Sequence, residues 1–305
     1  MGLYGAVEAG GTKFVCSVGT GPEDIRSEVT LPTEEPEKTL GQTINYFKDY
    51  QEKHREKLKA VGIACFGPVD LRKGSDKYGY ITTTPKEGWQ NVDIVGFFEK
   101  QLKIPVGFDT DVNAAAYGEY LWGAGKGLDI VLYLTVGTGI GGGLYVHGKL
   151  VHGLLHPEMG HVVIRRDKNK DPFKGCCPYH GDCLEGLASG HAVDMRWSIS
   201  ASKLPDNHPA WELEAEYLAQ GLVDYILTIS PEKIILGGGL MHKLQLYPLI
   251  RKKVQVMLNG YLSVPAIQKN IENYIVSPGL GDKAGICGAL GLAMMVLKEK
   301  DTKKN

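Results

Sequence analysis

One order of predicted elements occurs twice in this sequence, and that repeat constrains the fold more than any other feature. Each half predicts three strands, then helix, strand, helix, strand and helix, with a glycine-rich turn after the first strand. The first half predicts strands 3–8, 14–18, 27–31, 60–65 and 105–109 with helices 36–57, 91–102 and 112–121. The second predicts strands 130–136, 143–147, 161–165, 233–236 and 272–276 with helices 209–229, 243–258 and 283–298. This duplication predicts two α/β lobes, each a mixed sheet flanked by helices.

The two glycine-rich turns, 7-VEAGGTKF-14 and 135-TVGTGIGGGL-144, indicate a phosphate ligand. Glycine lets backbone N–H groups converge on an anion without a Cβ in the way, and the hydroxyls of Thr12 and Thr138 can reach phosphate oxygens. Either turn alone would also fit a plain β-hairpin. Two equivalent turns on related lobes favour ATP, held from both sides of an interlobe cleft.

Two other glycine patterns are set aside. Gly137-x-Gly139-x-x-Gly142 matches the dinucleotide fingerprint as a string, but a strand-like run follows where that fingerprint needs a helix. The segment 123-GAGKG-127 lacks both the spacing of a P-loop and its Ser or Thr after the lysine.

Charge and hydropathy exclude several classes of protein. The chain has 305 residues, and 34 Lys and Arg against 35 Asp and Glu give a net charge of −1, so no nucleic-acid partner is expected. No apolar run is long enough to span a membrane. The first predicted strand begins at Leu3, which leaves no room for a signal peptide, so a cytoplasmic location is expected.

The segment 108-FDTDVNAAAYGE-119 carries the candidate catalytic base. A strand delivers Asp109, Asp111 and Asn113 to the start of an alanine-rich helix. Phosphoryl transfer to an alcohol needs a carboxylate that accepts the hydroxyl proton, and we assign this role to Asp111, with Asn113 beside it to bind the sugar. The alternative is that Asp109 or Asp111 only caps the helix.

Cysteines and histidines cluster between residues 161 and 183. Cys177, His180 and Cys183 supply three zinc ligands, and His161 is a plausible fourth, which together predict a closed, structural Zn²⁺ site. Cys176 can replace Cys177, although the spacing favours Cys177.

His156 is a candidate pocket residue, whereas His147, His152, His191, His208 and His242 are interpreted as surface or core residues. Three isolated cysteines are predicted core residues: Cys16, Cys65 and Cys287.

The order of short motifs along the whole chain resembles that of the ROK family of sugar kinases and sugar-responsive repressors. The matching motifs are 10-GGTK-13, 67-GPVD-70, 111-DVNAAAYGE-119, 137-GTGIGGG-143, 158-EMGH-161, 183-CLEG-186 and 237-GGGL-240. The variants 7-VEAGGTKF-14 and 176-CCPYHGDCLEGLASG-190 are most similar to its bacterial fructokinase branch. The resemblance implies an actin-like (ribonuclease H-like) two-lobe fold. Its expected lobes are residues 1–117 with 288–305, and residues 118–287 with a zinc-binding insertion at 166–208.

The resemblance also implies roles for individual residues. Asp111 corresponds to the base, and the acceptor sugar would contact Gly67, Asn113, Glu158, His161 and Glu185. ATP would contact Gly10, Gly11, Thr12, Lys13, Thr138 and Gly139, with its adenosine against Gly238 and Gly239. A catalytic Mg²⁺ accompanies ATP, and Glu8 stands where many members have Asp, so its contact with a Mg²⁺-bound water is open.

These implications favour an ATP-dependent hexose kinase, most specifically a fructokinase that forms D-fructose 6-phosphate. Gluco-, manno- or N-acetylmannosamine kinase activity is the alternative within the family. Dimers are common in the family, so the resemblance also implies a homodimer. A repressor would carry a DNA-binding module before the first strand, which already begins at Leu3. A catalytically dead sensor would have no need of Asp111.

Overall fold

The computed structural model describes residues 2–302. The chain forms two compact units: the first takes the chain up to Lys126, Lys149–Pro157 and the segment from Asp282 onward, and the second takes Gly127–Gly148 and Glu158–Gly281. Three segments that the sequence analysis assigned to the large lobe lie in the first unit: residues 118–126, 149–157 and 282–287.

The strands and helices follow the predicted order closely. The strands are β1 Tyr4–Ala9, β2 Lys13–Gly21, β3 Asp24–Pro32, β4 Ala60–Cys65, β5 Tyr80–Ile81, β6 Val92–Asp93, β7 Val106–Thr110, β8 Ile130–Val136, β9 Ile140–Val146, β10 Lys149–Leu150, β11 Lys233–Gly237 and β12 Ile275–Val276. The helices are α1 Pro36–His54, α2 Ile94–Leu102, α3 Asp111–Trp122, α4 Leu184–Ala188, α5 Gly190–Trp197, α6 Ala210–Ile229, α7 Leu246–Leu258, α8 Pro265–Gln268, α9 Ile271–Tyr274 and α10 Ala284–Thr302.

The first unit is built on a five-stranded sheet with the order β3-β2-β1-β4-β7. The β1–β2 and β2–β3 pairs are antiparallel, whereas β4 runs parallel to both β1 and β7. Every residue of β4 is buried, as expected for a central parallel strand covered on both faces. Gly5 of β1 faces Phe47 of α1, and Gly62 of β4 faces Ala289 of α10, so these two helices cover opposite faces of the sheet.

Helix α10 packs closely against α3 and β4 through small residues. A Cβ at Gly62 would lie 1.8 Å from the carbonyl oxygen of Ala289, and a Cβ at Gly288 would lie 1.8 Å from that of Ala114. Backbone atoms of both elements therefore occupy the space that a side chain would need.

Cys16, Cys65 and Cys287 are buried, which confirms their prediction as core residues.

The second unit repeats the arrangement of the first. Its strands run in the order β9-β8-β11-β12, with β8–β9 antiparallel and the other two pairs parallel, which corresponds to β2-β1-β4-β7. The strand predicted at 161–165 is wrong, because Met159–His161 is a 3-10 helix and Val163 makes only an isolated bridge to Cys183. The strand predicted at 272–276 is mostly helix α9, and only β12 is extended.

Within residues 2–302, none of the helices combines the length and the apolar character needed to cross a membrane.

Candidate active site

The first glycine turn, Gly10–Lys13, joins β1 to β2 and is fixed through its carbonyl groups. The N–H of Gly10 donates to the carbonyl of Lys13 at 2.9 Å, while the Thr33 hydroxyl donates to the carbonyl of Gly10 at 2.7 Å. The N–H of Thr33 donates to the carbonyl of Thr12 at 3.0 Å. A Cβ built on Gly11 would meet no heavy atom within 4 Å, so a ligand can approach this backbone closely.

Asp111 is the first residue of α3, and the residue before it caps the helix. The Thr110 hydroxyl accepts from the N–H of Asn113 at 3.1 Å, so capping is the role of Thr110 rather than of Asp109 or Asp111. The Asp111 carboxylate accepts a local hydrogen bond from the N–H of Val112 at 2.9 Å. Burial raises the pKa of Asp111 to about 6. A carboxylate that titrates near neutrality is suited to accept a hydroxyl proton.

Glu8 on β1 is a second acid in this unit with an altered pKa. Burial raises the pKa of Glu8 to about 7, the negative charge of Asp111 adds to the rise, and Lys13 opposes it. A Cβ on Gly285 of α10 would lie 2.5 Å from the carboxyl carbon of Glu8, so only glycine leaves room for this side chain. Its oxygen atoms are of the hard donor type that Mg²⁺ and its bound waters prefer.

Asp109 and Asn113, which lie on either side of Asp111 in the sequence, are joined by a hydrogen bond. Asp109 is 2% exposed and Asn113 is 1% exposed. The Asn113 amide nitrogen donates to Oδ1 of Asp109 at 2.8 Å. The other oxygen, Oδ2, lies 2.7 Å from Nε2 of His152, a residue that the sequence analysis interpreted as a surface or core histidine. This hydrogen bond raises the pKa of His152.

His156 holds the loop at Gly67. Its Nε2 accepts from the N–H of Val69 at 3.1 Å, and a Cβ on Gly67 would lie 3.3 Å from its Cε1. Burial lowers the pKa of His156, in keeping with a neutral ring that accepts through Nε2. The peptide bond between Gly67 and Pro68 is cis.

The second glycine turn borders a pocket of about 660 Å³ that lies within the second unit. The N–H of Gly137 donates to the carbonyl of Gly139 at 2.9 Å, and the carbonyl of Gly137 accepts from the N–H of Gly190 at 2.7 Å, at the start of α5. The pocket wall includes Gly137, Thr138, Gly190, His191, Asp194, Ser200, Asp206, Gly239 and Lys243. Gly238 instead packs away from this wall at φ +89°, where a Cβ would lie 2.5 Å from the carbonyl oxygen of Val136.

The four predicted zinc ligands meet at one point. Their ligand atoms, from His161, Cys177, His180 and Cys183, all lie within 4.8 Å of one another. Nδ1 of His161 is 3.7 Å from Sγ of Cys177 and 3.5 Å from Sγ of Cys183. Tetrahedral zinc with ordinary bond lengths places sulfur and nitrogen about 3.5 Å apart, so the donor set fits Zn²⁺. Cys176 lies outside this group.

Glu185 connects the cluster with the second glycine turn. Its Oε2 accepts from the N–H of Ile140 at 2.9 Å, and its Oε1 lies 3.9 Å from Nε2 of His161. The two ring nitrogens of His161 therefore face different groups, Nδ1 the cysteine sulfurs and Nε2 this carboxylate. Glu158 is exposed and directly precedes the 3-10 helix that carries His161.

The predicted site residues thus fall into one group in each unit. The first unit holds Gly10, Gly11, Thr12, Lys13, Gly67, Asp111 and Asn113, and the second holds Thr138, Gly139, Glu158, His161, Glu185, Gly238 and Gly239. Sequence reasoning missed the pocket residues of α5 and Ala201–Lys203, because the insertion has no counterpart in the first half.

Comparison with known proteins gives consistent matches. The sequence profile of the ROK family matches residues 4–296. A fructokinase from Zymomonas mobilis is 43% identical over 294 residues, which are 96% of this chain and 96% of that protein. A fructokinase from Pediococcus pentosaceus is 42% identical over 296 residues, 97% of this chain and 99% of that protein. A ROK family glucokinase from Streptomyces griseus, solved with glucose and AMPPNP, matches with a TM-score of 0.77 and 27% identity, over 96% of this chain and 100% of that one.

Proposed function

Because the chain belongs to the ROK family, whose actin-like two-lobe fold it shares, we propose that it is an ATP-dependent fructokinase that converts D-fructose to D-fructose 6-phosphate. The relatives named fructokinase, at 42% and 43% identity over nearly the whole chain, support this choice of sugar. The single observation that carries the reaction is the Asp111 carboxylate, which is desolvated by its surroundings, is not used as a helix cap and has a pKa near neutrality.

In the proposed reaction, the sugar hydroxyl oxygen attacks the γ-phosphorus of ATP, ADP leaves, and the Asp111 carboxylate takes the hydroxyl proton. The amide of Asn113 orients the sugar beside this carboxylate. Backbone N–H groups of the turns at Gly11 and Gly139 bind phosphate oxygens, and the pocket next to Thr138 and Gly239 takes the adenosine. Glu8 would hold a water of the Mg²⁺ that accompanies ATP, and this ion would supply neutralisation of the phosphate charge.

We assign a structural role to zinc at His161, Cys177, His180 and Cys183. Four protein ligands leave no coordination position for substrate, which is typical of a structural site. Through His161 the metal would fix Glu185, which we place with Glu158 in the sugar pocket. Thiolate ligands and ATP together suit a reducing compartment, so we propose a cytoplasmic location.

We further propose that the protein is a homodimer. Val163 is 86% exposed and Tyr179 is 69% exposed, and both flank zinc ligands in the second unit. A second copy of the chain would cover such apolar side chains. Light scattering after size exclusion measures the mass directly, and a mass near 33.3 kDa would contradict the dimer.

The function is tested by ATP-dependent phosphorylation of fructose, glucose, mannose and N-acetylmannosamine in parallel, with zinc and magnesium present. We expect turnover on fructose, its loss in Asp111→Asn, and its retention in Asp129→Asn, whose exposed carboxylate is a matched control. Preference for another sugar would overturn the fructose assignment and keep the reaction. No turnover on any of the four would favour the sensor.

A further inference from the structure

Two histidines on one short segment of the first unit contact different parts of the proposed acceptor site. The segment Lys149–Pro157 carries His152, which contacts Asp109, and His156, which accepts from the N–H of Val69. His156 is 8% exposed and holds the segment to the loop at Gly67. That attachment fixes the backbone from which His152 extends, so the second contact is made from an anchored position.

Every oxygen of the Asp109 carboxylate is engaged. Oδ1 accepts from the N–H of Thr110 at 2.8 Å and from the amide of Asn113 at 2.8 Å, and Oδ2 lies 2.7 Å from His152. The Asp109 side chain is only 3% exposed, whereas that of His152 is 37% exposed. A buried carboxylate needs hydrogen bonds and a nearby positive charge, and His152 in its protonated form supplies both to Oδ2.

We propose that His152 is a positioning residue for the acceptor sugar, because through Asp109 it fixes the amide of Asn113 beside the base Asp111. This inference rests on the proposed function, since it assigns the sugar to Asn113. Asn113 and Asp111 lie in the first turn of α3, two residues apart. The amide nitrogen of Asn113 is tied to Asp109, which decides how the amide is presented to a sugar hydroxyl.

The charges around His152 favour its role as a donor. The Asp109 carboxylate raises the pKa of His152, mainly through the hydrogen bond and also through its charge, while burial and, to a smaller extent, Lys73 lower it. Lys73 is itself paired with Glu299, and His156, which is close enough to feel the charge of His152, titrates with a lowered pKa. The imidazolium of His152 is thereby maintained to higher pH by its contact with Asp109.

Kinetics of four variants test the chain of contacts: His152→Ala, His152→Gln, Asp109→Asn, and the double variant His152→Ala with Asp109→Asn. We expect His152→Ala to lower kcat/KM for the sugar about 10–100-fold, since small misplacements of an orienting group have effects of this size, with KM for ATP unchanged. His152→Gln keeps a donor and should lose less. The control His147→Asn alters an exposed imidazole (68% exposed) at φ +45°, where asparagine is tolerated, and should match the wild type.

The double variant shows whether His152 acts through Asp109. We expect it to be no slower than Asp109→Asn alone, because both substitutions remove the same support for the Asn113 amide and their effects should not add. Three results would each overturn the proposal. They are additive losses of kcat/KM in the double variant, a KM for ATP that rises in His152→Ala as much as kcat/KM for the sugar falls, and an unchanged kcat/KM in His152→Ala. Melting temperatures identify variants that lose activity by unfolding.

NMR titration of His152 in the enzyme without substrates gives a readout that does not depend on which sugar is used. We expect its pKa to lie above 6.5 in the wild type and to fall in Asp109→Asn, and an equal pKa in both proteins would contradict the contact. If the wild type prefers another hexose, the fructose assignment fails, and the same kinetic ratios measured on that hexose still decide the role of His152.

Discussion

Asp111 shows how a single position in a helix can prepare a carboxylate for chemistry. As the first residue of α3, it is placed after the Thr110 cap, and the pKa of its carboxylate is set by desolvation and local backbone hydrogen bonds rather than by a cation. Desolvation disfavours the ionised form, which is why its pKa rises toward neutrality instead of falling, as it does for an aspartate beside a cation.

This raised pKa predicts an acidic limb in the activity of the enzyme. The base must be ionised to take a proton, and the pKa of Asp111 is about 6, so kcat/KM for the sugar should fall about tenfold per pH unit below that value. The pH profile of the wild type checks this, with Asp111→Asn as a control whose residual rate should lack the limb. A profile flat down to a pH of about 4.5 would contradict the raised pKa, since a base with a pKa of about 6 would have lost roughly thirtyfold in activity there.

Adjacent cysteines provide a matched pair for testing the zinc site. Cys177 belongs to the cluster and its neighbour Cys176 lies outside it. We expect Cys177→Ser to lose bound zinc and Cys176→Ser to retain it, because only the first substitution removes a ligand. Zinc content by mass spectrometry of the purified proteins measures this directly. Retained zinc in Cys177→Ser and loss in Cys176→Ser would require a different ligand set.

At the scale of elements, α10 holds the first unit together through glycines rather than large side chains. Gly288→Ala places a Cβ 1.8 Å from the carbonyl oxygen of Ala114, and we expect it to destabilise the protein by about 1–3 kcal/mol, as overpacking does. Gly41→Ala is the matched control, since Gly41 lies within α1 with no atom within 4 Å of its Cβ position. It should stabilise the helix by about 0.5–1 kcal/mol.

Urea denaturation of the two glycine variants gives these free energies of unfolding. Equal effects of the two substitutions would show that helix propensity, rather than the contact between α10 and α3, determines the result.

The limits of the mostly buried strands were predictable from sequence, whereas a segment whose conformation depends on distant contacts was not. The limits of β4 and β8 match the predictions, and all six residues of β4 and five of the seven residues of β8 are buried. Residues 162–164 form a β-branched run typical of a strand, yet Val163 is 86% exposed and makes one bridge, to Cys183. His161 in this segment lies close to Cys177, His180 and Cys183, and such a grouping has no periodic signature in the sequence.

The candidate site shows the same limit. Asp111 and the glycine turns stand in local motifs, whereas His152 contacts Asp109 from 43 residues away, a pairing that only the tertiary structure creates. Likewise, no local motif predicts that Trp89 is fully buried against Phe14 and Phe66.

At the scale of the whole molecule, Glu214 on α6 is an unfavourable buried group. It is 1% exposed, and neither carboxylate oxygen has a hydrogen-bond partner within residues 2–302. Burial raises its pKa well above the usual value, and the positive charge of Arg196 offsets only part of that rise, since Arg196 is paired with Asp171 at 3.2 Å. Glu214 therefore stays protonated in the folded protein at pH values where it is ionised in the unfolded chain.

The sign of the pH dependence follows from this difference. Because the folded state binds the proton more tightly, the stabilising contribution is fully present below the unfolded pKa of about 4.3 and is lost as the pH rises toward the folded pKa. The glutamine in Glu214→Gln cannot ionise, so the variant does not lose stability in this way as the pH rises. The free energy of unfolding of the variant, relative to that of the wild type, should therefore increase by about 1.4 kcal/mol for each pH unit above ~4.3, up to the folded pKa.

Urea denaturation at pH 5 and pH 8 tests this for the wild type, Glu214→Gln and Glu212→Gln. Glu212 lies on the same helix with a side chain that is 63% exposed, so its variant should follow the wild type at both pH values. The unsatisfied amide that Glu214→Gln introduces is equally unfavourable at both values and cancels from the comparison between them. A constant difference between Glu214→Gln and the wild type would mean that Glu214 is ionised in the folded protein, with its charge balanced by Arg196.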